Sequence, residues 1–224
     1  MSEQKKLWYL SKIQLFSAMS SEDMSHMDKI SHMESTSKFQ PVYLPGDPAS
    51  SVYLLKKGRV RISSLSEEGK QVIHSILGPG NIFGELSLVD EAGEHDSMAE
   101  ALEETLLCIV HKKDFEAFLE SHPQLNLKVT KLMGMRLRQV TSRVQDLVFK
   151  TAEQRIESVL KYLSQEHGET LSEGSLINLP LTHQDLGELT NLARPTVTEL
   201  LKQMQIQGKI RFQKRKIIWL DLAV

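Results

Sequence analysis

Arg194, Thr196, Thr198, Glu199 and Lys202 are spaced so that a helix would carry them outward, opposite an apolar face of Val197, Leu200, Leu201 and Met204. Such an outward face can lie in a DNA major groove, where an arginine pairs with guanine and a carboxylate accepts from the cytosine amine. Pro195 suits the first turn of that helix, where its missing N–H costs nothing. Upstream, Thr182 can cap a shorter helix, with Asp185 three residues on as a capping-box partner. Leu186 and Leu189 would face inward, and Gly187 would let the second helix approach closely. Asn191 sits at the turn, and asparagine tolerates the left-handed backbone conformation. Leu181–Lys202 therefore reads as a helix-turn-helix. An ordinary helix pair would share this pattern, and the residues that follow decide between the two.

Gly208 is a helix stop, and the next twelve residues alternate like a short β-hairpin. Ile210 and Phe212 are expected to pair with Ile217 and Trp219, leaving Gln213 to Lys216 at the tip. Lys209, Arg211, Lys214, Arg215 and Lys216 bring five positive charges with no acid among them. A basic hairpin beside a helix-turn-helix is a wing, and Lys214 and Arg215 are its expected phosphate contacts. Phosphate contacts give affinity without sequence information.

The net charge of −2 conceals this arrangement. Residues 1–127 carry 12 basic and 19 acidic side chains, residues 128–150 six and one, and residues 151–224 nine of each. The segregation is more informative than the sum. The 224 residues suit two modest domains. No apolar run is long enough to span a membrane, and the opening residues lack a signal peptide's apolar core, so a cytoplasmic protein is expected. A single cysteine, Cys108, excludes an internal disulfide framework and a cysteine cluster for zinc or iron–sulfur. No Walker loop, nucleophile elbow or HExxH metal motif is present, so neither an enzyme, a metal nor a cofactor is predicted.

The elements that must carry this reader begin with a β-rich half. Over residues 39–110, turn signals at Gly46, Gly58, Gly69 and Gly78–Gly80 separate short β-prone runs, which argues for an all-β roll. A short helix is expected over Ser21–Ser31, and another from Asp114. From Gln124 to Phe149 the pattern turns helical. Val129, Met133, Leu137, Val140, Val144 and Leu147 recur every three or four residues, a stripe expected to form a dimer seam. Thr151 and Gln154 then form a second capping box that starts a helix toward Leu163. The predicted fold class is α+β: a β-roll over 1–123, a long dimerisation helix over 124–150 and a winged helix-turn-helix over 151–224.

This order of elements resembles the cyclic AMP receptor protein/FNR family of transcription regulators over nearly the whole chain. The most specific segments are Glu68–Ile73, Gly78–Leu88 and Leu181–Lys202. The resemblance implies a homodimer on a two-fold site in double-stranded DNA, contact with RNA polymerase, and a small-molecule effector in the roll. In nucleotide-binding members, a Gly-Glu pair accepts the ribose and an Arg-Ser pair about eleven residues later holds the cyclic phosphate. Gly84 and Glu85 match the first pair, but His95 and Asp96 stand in for the second. Nearby Asp90, Glu91, Glu94, Glu100, Glu103 and Glu104 would present carboxylates to a phosphate. The family's base-contacting Thr-Ser pair falls on Val140 and Thr141, or, shifted by one, on Thr141 and Ser142. Losing a charge-assisted arginine–phosphate contact weakens binding by roughly two orders of magnitude, so cyclic AMP is not the expected effector. Thr182, His183 and Gln184 resemble phosphate-contacting positions. In the family's reading helix, Arg194 is kept, while Pro195 and Glu199 replace a Glu and an Arg, so a different operator is expected. A sensor module of the same roll without specific DNA binding is the alternative reading, and the winged helix-turn-helix argues against it.

Overall fold

The computed structural model describes residues 19–88 and 93–220. Asp90, Glu91 and the opening residues of the chain lie outside them. The backbone divides into two compact units. One runs to Lys70 and takes in His74–Leu137; the other holds Gln71–Ile73 and Arg138 onward. The division falls inside the long helix that the sequence sets apart as its own segment.

In the first unit, Ser20 caps helix α1 (Ser21–Lys29) through a reciprocal capping box with Asp23. The chain then leaves the helix earlier than the periodicity suggests. Ser31–Thr36 is strand β1, paired in antiparallel register with β8 (Thr105–His111) from Ser31 opposite Val110 to Thr36 opposite Thr105. With β3 (Ser51–Lys57) and β6 (Ile82–Phe83) these form a sheet of order β1-β8-β3-β6. A second sheet runs in the order β2 (Pro41–Tyr43), β7 (Met98–Ala101), β4 (Val60–Leu65), β5 (Gln71–Leu77). The two sheets form the expected roll. Its turns fall at the predicted glycines, and at Gly58 the reason is plain. Its φ is +85°, and a Cβ there would meet Thr105 Oγ1 at 2.5 Å and the Glu104 carbonyl at 2.7 Å.

The alternation of the strands places Val52, Leu54, Cys108 and Val110 in one core, closed by Met27, Phe115 and Phe118. Cys108 is wholly buried there. Each large side chain so buried stabilises the fold by about 1.5–3 kcal/mol. Helices α2 (Lys112–Ser121) and α3 (Pro123–Phe149) follow, the second continuous over 27 residues.

The apolar stripe of α3 has two fates. Leu125 and Val129, the latter expected in a dimer seam, are buried in the roll core of their own chain. Met133 is half-buried. From Leu137 the stripe is uncovered: Leu137 is 68% exposed, and Val140, Val144 and Leu147 are exposed as well.

In the second unit, Thr151 caps helix α4 (Ala152–His167) with the predicted capping box to Gln154. A hairpin not anticipated from sequence follows: β9 (Gly168–Leu171) and β10 (Gly174–Ile177). Helices α5 (His183–Thr190) and α6 (Arg194–Ile206) then lead to β11 (Ile210–Gln213) and β12 (Lys216–Leu220). The four strands make one sheet of order β11-β12-β10-β9. The wing is thus half of a larger sheet. Ile210 faces Trp219 and Phe212 faces Ile217, as the alternation requires.

Candidate nucleic-acid interface

Thr182 begins α5 with a full capping box. Its hydroxyl accepts from Asp185 N at 3.0 Å, and Asp185 Oδ2 accepts from Thr182 N at 2.8 Å. Asn191 ends the helix at φ 54°, ψ 48°, its N–H donating to the Gly187 carbonyl. The small residue at Gly187 serves this turn more than the second helix. A Cβ there would stand 2.6 Å from the Leu192 carbonyl, whereas Val197 Cγ2 would lie at 3.8 Å. Helix α6 starts with Pro195 in its first turn and buries Val197, Leu201 and Met204. Leu200, expected on that face, is only half-buried.

The opposite face of α6 carries Arg194, Pro195, Thr196, Thr198, Glu199 and Lys202, all exposed. Two of these side chains are already engaged. Gln203 Nε2 donates to Glu199 Oε1 at 3.2 Å, which leaves the second carboxylate oxygen to accept from a base. Thr198 Oγ1 donates to the Arg194 carbonyl at 3.0 Å and lies 2.7 Å from His183 Nδ1. At the start of α5, Thr182 and Gln184 are exposed and His183 is half-buried. Gln184 Nε2 donates to Glu188 Oε1 at 2.9 Å.

The wing is less positive than its sequence. Lys209 is paired with Glu153 and Glu157, both at 3.2 Å, and these carboxylates raise its pKa. Arg211 pairs with Glu173, and Lys216 donates to Asn178 Oδ1. The tip is also shorter than expected. Gln213 pairs with Lys216, so the turn is the two residues Lys214 and Arg215, with Lys214 at φ 57°. These two are the exposed cations at the tip of the hairpin.

Residues 34–122 match the cyclic nucleotide-binding domain family, and residues 154–224 match the Crp-like helix-turn-helix domain. The global nitrogen regulator of Synechocystis is 30% identical over 186 residues, covering 83% of each chain. The cyclic AMP receptor protein of Thermus thermophilus is 30% identical over 173 residues, 77% of this chain and 76% of that one. The chain belongs to the cyclic AMP receptor protein/FNR family. It is a transcription regulator with a helix-turn-helix DNA-binding domain. A solved structure of a CooA variant from Carboxydothermus hydrogenoformans shares the fold at a TM-score of 0.78 and 24% identity, covering 97% of this chain and 95% of that one. The c-di-GMP responsive regulator CLP of Xanthomonas campestris does so at 0.77 and 20%, covering 90% and 99%.

In the roll, the residues expected for an effector have these surroundings. Gly84 has φ +74°, and a Cβ there would meet Tyr53 Cδ2 at 2.7 Å. Glu85 is 9% exposed and forms an ion pair with Arg136 of α3, whose guanidinium also donates to the Ile82 carbonyl. Periodicity gives no sign of Arg136, which stands beside the apolar stripe. His95 lies flat on Tyr43, ring centroids 3.6 Å apart and 7° from parallel. Burial pushes its imidazole below the usual histidine range, against the pull of Asp47 and Asp96. Asp96 is exposed. The acidic surroundings are also partly neutralised: Arg61 pairs with Glu100 at 2.6 Å and Arg59 with Glu103 at 2.8 Å. Val140 and Thr141 belong to the other compact unit, on exposed turns of α3.

Proposed function

We propose that the chain acts as a homodimer that binds a two-fold DNA operator, reads its bases with α6 and does so without cyclic AMP. The observation that carries the reading is the exposed face of α6, with Arg194 in the first turn and Glu199 one turn on, beside a cationic turn at Lys214 and Arg215. Arg194 supplies the bidentate donor for guanine, and Glu199 supplies an acceptor for a cytosine amine. Thr182, His183 and Gln184, with the wing tip, fix register on the phosphates. The second copy covers Leu137, Val140, Val144 and Leu147, spaced three, four and three residues apart as in a coiled-coil seam. As a transcription regulator it works in the cytoplasm with RNA polymerase as partner; among the described residues, no helix is long and apolar enough to cross a membrane.

Independence from cyclic AMP is supported by His95, which is packed on Tyr43 with its charge disfavoured. The ion pair of Glu85 with Arg136 takes one carboxylate oxygen and leaves the other able to accept, so it does not bear on the question. The two positions matched to the phosphate-binding Arg-Ser pair supply a buried ring, His95, and an exposed carboxylate, Asp96, in place of a guanidinium.

The reading of the bases is tested by comparing Arg194→Ala with Lys214→Ala on a DNA site selected from a random pool. Arg194→Ala is expected to cost about 1–3 kcal/mol and to relax preference at one base position per half-site. Lys214→Ala should weaken all sequences alike and lower the salt slope by about one. Uniform loss from Arg194→Ala would contradict the assignment.

A further inference from the structure

We infer that His183 is a positioning residue for base recognition, holding the first turn of α6 through Thr198; this rests on the proposal that α6 reads DNA. The first turn of α6 has no side-chain cap of its own: its N-cap residue, Ala193, offers no side-chain hydrogen bond. Arg194, the residue assigned to guanine, stands in that turn.

A separate link from α5 reaches this turn, through the carbonyl of Arg194 and not through its free N–H groups. A threonine hydroxyl has a single proton. Thr198 Oγ1 lies 3.0 Å from the Arg194 carbonyl and 2.7 Å from His183 Nδ1; we assign its proton to the carbonyl, which makes His183 Nδ1 the donor to a Thr198 lone pair. The chain of bonds runs from α5, through His183 and Thr198, to the backbone of Arg194. It ties together residues fifteen apart in sequence, across the turn at Asn191. Two consequences follow. Thr198 has no proton left to offer a base, so it supports the reader and does not itself donate. His183 is anchored by its inner nitrogen, and its ring orientation is fixed before DNA arrives.

A double-mutant cycle tests this on the full-length protein. A DNA site is selected by the wild type from a random pool, and a partner site carries the Arg194-dependent base pair changed. Discrimination is the ratio of the two dissociation constants at fixed salt. His183→Ala and Thr198→Val are each expected to lower discrimination by about three- to tenfold, the worth of one net hydrogen bond. The double variant should be no worse than either single one, and Thr198→Ser should restore the ratio. Thr198→Val should leave the salt slope unchanged, because the residue supports a backbone carbonyl and no phosphate. Thermal unfolding of each variant identifies any loss that reflects misfolding, and the Thr198→Ser rescue remains decisive if Thr198→Val destabilises the domain.

Unchanged discrimination in Thr198→Val, or additive losses in the double variant, would overturn the strut while leaving the DNA-reading assignment intact. A wild type that selects no sequence at all would overturn the assignment on which the strut rests.

Discussion

His95 stands at a position that the family resemblance matches to a phosphate-holding arginine. Its ring stacks on Tyr43 and is 8% exposed. Its pKa is lowered by burial, so the folded protein binds a proton there less readily than the unfolded chain does. The unfolded state therefore takes up the proton first as pH falls below about 6.5, and the stability contributed by the neutral ring is lost from there downward. His95→Phe keeps the ring and removes the proton site. Its midpoint of thermal unfolding is expected to fall less steeply between about pH 7 and pH 5 than that of the wild type. Identical slopes in the two proteins would show that His95 does not titrate on unfolding. The presence of a histidine and an aspartate at these positions is legible from sequence. That one is packed inward and the other faces water is not, because it depends on a ring, Tyr43, some fifty residues away.

Elements divide the same way. The helix-turn-helix was legible because capping, a left-handed Asn191 and an early proline are local signals that agree with one another. The β9–β10 hairpin is not legible because its strands are four residues each, and β10 gains its order from pairing with β12, forty or more residues on. Lys209 and Arg211 looked like free wing charges because their partners Glu153, Glu157 and Glu173 lie far back in the sequence. In α3, periodicity marks an apolar stripe but not what covers it. Val129 is covered by its own chain, whereas Val144 and Leu147 are bare. The proposed seam is therefore confined to the carboxy-terminal half of α3. Val144→Asp would place a charge in a desolvated dimer contact and leave the roll core untouched. Sedimentation equilibrium is expected to show the wild type as a dimer and Val144→Asp as a monomer with an unchanged circular dichroism spectrum. An unaltered dimer would place the seam elsewhere.

At the scale of the whole molecule, a chain with net charge −2 needs a local concentration of cations to attract DNA, which the proposal places at α6 and the Lys214–Arg215 turn. Affinity should therefore fall steeply with salt, and every comparison needs salt held fixed. A dimer presents two copies of α6, and two copies read a two-fold site only if both half-sites are present at the correct spacing. The measurement that reaches the central claim is a fluorescence-anisotropy titration of the full chain on its selected two-fold DNA, at one salt concentration, with and without cyclic AMP. The expected result is two chains per DNA and the same affinity in both samples. Binding that appears only when cyclic AMP is added would contradict it.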